Sequence, residues 1–313
     1  MTMLPPGLLP EGLRDRLPGE AAANARTVRA LLDSIEACGY ERVSPPLVEY
    51  EETLAARLKS SRHDLARFVD PLSQRTLAIR PDITPQIARI VSTQLANVPR
   101  PLRLAYAGPV LKLGASQLSP QRETMQVGAE LIGLDSLEAA CEIAGIAVDA
   151  LSAADVTGLT VDLTLPDLVQ TLAGLVLSAE KIAALDLLLD MKDAGALVTA
   201  GFSDWLPLIA ATGPVSPALA ALRSFDHAGL MTSRIDGIEA IAATLARKGV
   251  RVTLDPTERH GFEYQSWFGF SLFVAGASGA VGRGGSYAIA HPDGHHEPAT
   301  GFSVYPDTLS KEA

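Results

Sequence analysis

No stretch of about 18 apolar residues free of charge occurs in this chain, and a helix needs roughly that length to cross a bilayer, so no membrane span is expected. Cysteine is nearly missing: Cys38 and Cys141 are the only two. Each sits in an alanine-rich stretch with helical spacing and has no C-x-x-C partner, which suits small buried thiols better than a disulfide. The opening MTMLPPGLLPEGLRDRLPGE has no basic region ahead of an apolar run, so it does not read as a secretory signal, and a cytoplasmic setting is expected. Positive charge is scarce: 26 Lys plus Arg face 36 Asp plus Glu, a net charge of −10. The arginines are scattered without a stripe or basic tail, and such a surface repels nucleic acid, whose binding depends on phosphate neutralisation.

Several motifs are missing too. No G-x-S-x-G occurs, so a hydrolase nucleophile elbow has no support. GRGG at 282–285 does not complete G-x-G-x-x-G, because Tyr287 holds the last position. The residues after it read as strand, so these glycines are expected in a tight turn between strands. HPDGHHEP carries His291, His295 and His296 without a carboxylate or cysteine cluster at ligand spacing. An exposed loop is expected there, and no metal. There is no internal repeat and no low-complexity tract.

The chain does have 313 residues that are 47% hydrophobic, enough for one large domain or two ordinary ones. Ala21, Ala25, Val28, Leu31, Leu32, Ile35 and Cys38 recur at helical spacing, predicting a helix over 18–38 closed by Gly39. YERVSPPLVEY comes next as an extended segment broken by Pro45 and Pro46, which places it at an edge or an interface. TLAIRPDITPQIARIVSTQL reads as strand, sharp turn and helix, with Thr84 as N-cap, Pro85 as first helical residue and Ile87, Ile90, Val91 and Leu95 as the buried stripe. PLRLAYAGP is a strand, and 136–151 a helix. After the strand GLTVDLTL, the span 166–249 reads as short helices only. Ser178 caps one of them, Ser216-Pro217 opens another, and Ile238, Ile241 and Leu245 mark a third that Gly249 closes. Strands resume at VRVTLD and continue through SWFGFSLFVAG and GAVGRGGSYAI to TGFSVYPDTL.

The chemistry concentrates in two places. In the segment 108–130, GPVLKLGASQLSPQRETMQVGAE, strand alternation puts Arg122, Thr124, Gln126, Gly128 and Glu130 on one face. Its first half offers only Lys112, Leu113 and Gly114, little to grip an anion. In the Arg80-Pro81-Asp82 turn, a carboxylate beside a helix N-terminus accepts a ligand ammonium or caps its own backbone. Each feature alone reads as ordinary, a cap and a solvated face. Together, each beside apolar strands, they raise the prospect of a polar pocket.

LPEGLRDRLP, IRPDITPQIAR, the 108–130 segment, HGFEYQSWFGF, GRGGSY and TGFSVYPDTL occur in the order seen in histidyl-tRNA synthetase, which almost the whole chain resembles. The resemblance implies an α+β fold, the class II aminoacyl-tRNA synthetase-like core: an antiparallel sheet flanked by helices. The core is then expected over 1–165 and 250–313, with a small helical insert at 166–249 and dimerisation through the helix at 18–38 and Pro45. It also implies histidine-contacting roles for Asp82, Thr84, Gln126, Glu130, Tyr264 and Tyr287.

The departures concern the ATP side. Lys112 and Gly114 stand where the synthetase has a phosphate-gripping Arg and a Glu, Thr308 where it has an Arg on the ATP tail, and His260, before Gly261, where it has an activating Arg. Gln265 and Ser286 replace a Tyr and an Arg. Adenylate transfer needs fixed cations on the phosphates, for which bidentate Arg is suited; Lys112 offers a point charge and Thr308 none, and no anticodon-binding domain is expected after the third motif. With RPDITPQ in place of R-P-E-G-T, the chain resembles the regulatory subunit of ATP phosphoribosyltransferase. That implies a non-catalytic subunit, without cofactor, metal or tRNA. It activates a short-form catalytic subunit in the first step of histidine synthesis and takes part in feedback by L-histidine. The assembly it implies is a homodimer within a hetero-oligomer, a hetero-octamer. The alternative is a tRNA-independent amino-acid-adenylating enzyme in which other cations stand in. A scaffold for an unrelated partner is a third reading.

Overall fold

Leu31, Leu32 and Ile35, all but inaccessible to solvent, form the inner stripe of α1 (Pro18–Ala37). The computed structural model describes residues 7–56, 65–114, 121–174, 176–259 and 265–309. α1 starts with proline in its first turn and ends before Gly39, whose φ of +85° lets the chain reverse. Cys38 lies past the last buried turn and is exposed, while Cys141 is half-buried. The expectation of a buried thiol therefore fails for Cys38.

β1 (Glu41–Arg42) and β2 (Val48–Tyr50) flank the two prolines. They are followed by α2 (Glu51–Ala55), β3 (Arg67–Val69), β4 (Thr76–Ile79) and α3 (Thr84–Ser92). The long strands β5 (Leu102–Leu111) and β6 (Glu123–Ile132) lead to α4 (Leu137–Ala153), where the Ser136 side chain accepts from Ala139 N, and to β7 (Leu159–Thr164). Next come α5 (Leu168–Ala173), α6 (Ala179–Asp190), α7 (Ala194–Thr199), α8 (Leu206–Ala210), β8 (Gly213–Pro214), α9 (Val215–Phe225) and α10 (Thr232–Arg247). The chain returns through β9 (Arg251–Leu254), β10 (Gln265–Val274), β11 (Gly282–Ala290) and β12 (His296–Val304) to a 3-10 turn at Pro306–Thr308. The span 166–249, read as helices alone, thus also contributes β8, which pairs with β9.

Among the described residues the main sheet has nine strands in the order β1-β5-β6-β12-β11-β10-β7-β9-β8. It is antiparallel except for the β1–β5 and β7–β9 pairs. A small sheet, β2-β4-β3, stands apart. Strand alternation gives the main sheet two buried faces. On one, Phe268, Phe270 and Phe302 pack with α1, α4 and α10; on the other, Tyr106, Tyr287 and Ile289 pack with Ile83, Ile87 and Val91 at α3.

Residues 282–285 lie inside β11, which corrects their reading as a turn. A Cβ on Gly284 would collide with the Phe270 ring and sit 2.6 Å from the Gly301 carbonyl oxygen, so glycine here admits close approach by neighbours within the sheet. The β11–β12 hairpin turns at Gly294, with φ +85°. His295 and His296 are exposed, but His291 is not: its Nε2 lies 2.9 Å from Glu297 Oε2, and Glu297 also pairs with Arg100. Among the described residues no group of three His, Cys, Asp or Glu is placed to hold a metal ion. Among them, too, no helix is long and apolar enough to cross a membrane.

Candidate functional site

The turn between β4 and α3 is held by Arg80, which is 3% exposed. Its Nε donates to Pro109 O (2.9 Å), and its Nη1 to Pro45 O (2.9 Å) and Gln86 Oε1 (3.1 Å). Burial pushes the guanidinium below its usual pKa range, against the pull of Glu49 and Asp82. Gly108 has to be bare, since a Cβ there would overlap that guanidinium. Gln86 and Arg89 both reach Glu49, so the motif ties β2 and β5 to α3.

The next residues face inward. Asp82 Oδ1 accepts from Thr84 N at 3.0 Å, so Asp82 takes the capping task assigned to Thr84. The helix starts at Thr84, with Ile83 as the residue before it, and Pro85 is second. Relieved of that task, the Thr84 hydroxyl donates to Glu130 Oε1 at 3.1 Å. Tyr106 Oη donates to the same oxygen at 3.1 Å, and Tyr287 Oη to Glu130 Oε2 at 2.8 Å. Gln126 Oε1 accepts from Ile83 N, while its Nε2 donates to Asp82 Oδ1 and Ser303 Oγ, each at 2.7 Å. Ser303 Oγ lies 2.9 Å from Tyr106 Oη.

Asp82, Thr84, Gln126, Glu130 and Tyr287 therefore belong to one hydrogen-bonded network. Gln126 is 0% and Glu130 1% exposed, so neither lies on a solvated face. Burial pushes the Glu130 carboxyl up to about 8, although three hydroxyls donate to it and favour its charged form. At neutral pH a carboxyl so buried keeps its proton until a cation beside it favours the charged form, and Asp82 is half-buried next to it.

Tyr264 and His260 lie outside the described residues, as does the side chain of Gln265. Gly114 and Thr308 are exposed, and Thr308 Oγ1 only closes its own turn on Tyr305 O at 2.7 Å. Lys112 is exposed along part of its length, yet its Nζ reaches 5.0 Å from the Tyr305 ring centroid. Burial of its ammonium lowers its pKa, against the pull of Asp82 and with the Arg283 charge adding to the fall. Ser286 points to the helix-covered face, where its Oγ meets Ser266 Oγ at 2.8 Å.

Tyr106 and Ser303 were missed by sequence reasoning. Strand alternation on the site's face is the signal that marks them. A separate open groove of about 530 Å³ runs past Cys38, Cys141 and Gly145. Its charges pair internally, Arg103 with Glu142 and Lys248 with Asp149.

The family model described as histidyl-tRNA synthetase matches residues 12–309. The ATP phosphoribosyltransferase regulatory subunit of Rhodospirillum centenum is 41% identical over 310 residues, 96% of this chain and 79% of that one. This chain belongs to the ATP phosphoribosyltransferase regulatory subunit family, built on the histidyl-tRNA synthetase-like core. The regulatory subunit of Rhodospirillum rubrum is 40% identical over 309 residues, 96% of this chain and 80% of that one. The fold is also that of an ATP phosphoribosyltransferase regulatory subunit/histidyl-tRNA synthetase from Bacillus halodurans C. That structure matches with a TM-score of 0.85 over 98% of this chain and 84% of its own, at 24% identity. The α+β reading and the class II synthetase-like core are thereby established for this regulatory-subunit family member.

Proposed function

We propose that this chain activates a short-form ATP phosphoribosyltransferase catalytic subunit and carries histidine feedback to it, without catalysis of its own. The reaction is the joining of ATP and phosphoribosyl pyrophosphate, the first step of histidine synthesis. The observation that carries the reading is the buried Glu130 carboxyl, held by Thr84, Tyr106 and Tyr287 in a family core whose positions 112, 260 and 308 hold no arginine. A site of this kind suits a small cationic amino acid and lacks the fixed arginines that would grip nucleotide phosphates there. L-Histidine is the proposed ligand, facing Asp82, Thr84, Gln126, Glu130, Tyr264 and Tyr287.

The proposed assembly is a homodimer within a cytoplasmic hetero-oligomer, with α1 and the Pro45 segment at the dimer contact. Leu32 and Ile35 are core residues of the single chain, 4% and 0% exposed, so that contact uses other positions of α1. Mixing the chain with the candidate catalytic subunit and analysing the mixture by sedimentation tests the assembly. A co-sedimenting complex is expected; two independent species at micromolar concentration would contradict it.

A further inference from the structure

β11 pairs with β12 in unbroken register, with Arg283 opposite Ser303 and Tyr287 opposite Ala299. Residues directly opposite in an antiparallel pair share a face, and so do residues two apart on one strand. Tyr287 donates to Glu130, and Ser303 Oγ contacts Gln126 and Tyr106. Arg283 therefore stands on the site's own face, next to Ser303 and half-buried. Its charge acts on both Lys112 and Tyr305, as does that of Asp82, and Lys112 Nζ lies over the Tyr305 ring. Tyr305 packs on that same face with Tyr287, and Gln126 joins Asp82 to Ser303 there, so Asp82, Lys112, Arg283 and Tyr305 lie on one side of the sheet. The site has two poles: carboxyl groups at Glu130 and Asp82, cations at Arg283 and Lys112.

We propose that Arg283, flanked by Lys112, forms an anion-binding subsite that takes the carboxylate of the amino acid whose cationic groups face Glu130 and Asp82. A guanidinium offers a planar pair of N–H donors that matches a carboxylate, and an ammonium beside it adds a point charge. The half of the site that looks bare in the 108–130 segment is in this way completed from β11. The subsite rests on the amino-acid-binding reading above and specifies which end of the ligand lies where.

Calorimetric titration of the full chain with L-histidine and with histamine, which has the same imidazole and ammonium but no carboxylate, tests this. The wild type is expected to bind L-histidine at least tenfold more tightly than histamine. Arg283→Gln is expected to weaken L-histidine tenfold or more and leave histamine unchanged. Equal affinity of the wild type for the two ligands overturns the subsite without needing any variant to fold. So does an Arg283→Gln chain that keeps L-histidine affinity, or one that loses both ligands alike. If Glu130→Gln loses L-histidine while Arg283→Gln keeps it, the amino-acid reading stands and the subsite falls. If the wild type binds neither ligand, both fall.

Discussion

Gly301 stands directly opposite Glu130 in the β6–β12 ladder, and its bare Cα leaves the space that the Glu130 carboxylate fills. A Cβ at Gly301 would overlap that carboxylate and would lie 2.8 Å from the Ala129 carbonyl oxygen. Gly301→Ala should therefore destabilise the chain by about 1–3 kcal/mol, the usual cost of overpacking a tight interior. It should also weaken L-histidine binding, since Glu130 loses its place against Tyr287 and Tyr106. Denaturant melts and titration of the same sample read both effects. Wild-type stability with wild-type affinity would contradict the geometry.

Glu130 also sets a pH dependence. Burial raises its pKa from 4.5 to about 8, so between these values the folded chain keeps a proton that the unfolded chain has released. Stability from this group then falls as pH rises through that window and levels off above about 8. Glu130→Gln has no such proton, so its stability relative to the wild type should grow by a few kcal/mol from pH 5 to pH 8, at about 1.4 kcal/mol per unit of pKa difference. Parallel melts across that range are the check; a constant difference would mean that Glu130 is charged throughout.

Arg80 joins the prolines before β2, the end of β5 and the first turn of α3. Arg80→Met removes these bonds and leaves Pro109 O and Gln86 Oε1 without this donor. At roughly 1.5–3 kcal/mol for each hydrogen bond to a charged group, the loss should be several kcal/mol. Gly108→Ala, which presses on the same guanidinium, should be destabilising too. A midpoint shift below that of an ordinary surface substitution in chemical denaturation would show that the clamp is dispensable.

Without arginine at positions 112, 260 and 308, the chain should not activate histidine with ATP. Loss of one preorganised electrostatic contact costs about 10²–10³ in rate, and several are missing together. Pyrophosphate exchange with ATP and histidine measures this, and no turnover above background is expected. Exchange at a rate typical of a synthetase would restore the adenylating alternative.

Much of the fold is readable in the residues. The spacing of Leu31, Leu32 and Ile35 and the glycine after them mark α1, and the apolar alternation of β5 and β6 marks the sheet. Asp82 is open in the sequence between cap and ligand residue, and its carboxylate both accepts the Thr84 amide and meets Gln126. Cross-strand register is out of reach. Gln126 and Ser303 are 177 positions apart, and no local pattern says that they touch. Arg283 is hidden for another reason: flanked by glycines it reads as a turn. Those glycines are instead where neighbours within the sheet crowd the backbone, so the strand continues and carries Arg283 onto the site's face.

The most direct test of the central claim is the phosphoribosyltransferase rate of the short-form catalytic subunit, alone, with this chain, and with this chain plus L-histidine. The account predicts little activity alone, a large gain on adding the chain, and loss of that gain as histidine is raised, with Glu130→Gln activating but tolerating about tenfold or more histidine, on the scale of one lost charge-assisted hydrogen bond. A catalytic subunit whose rate is the same with and without the chain would contradict it.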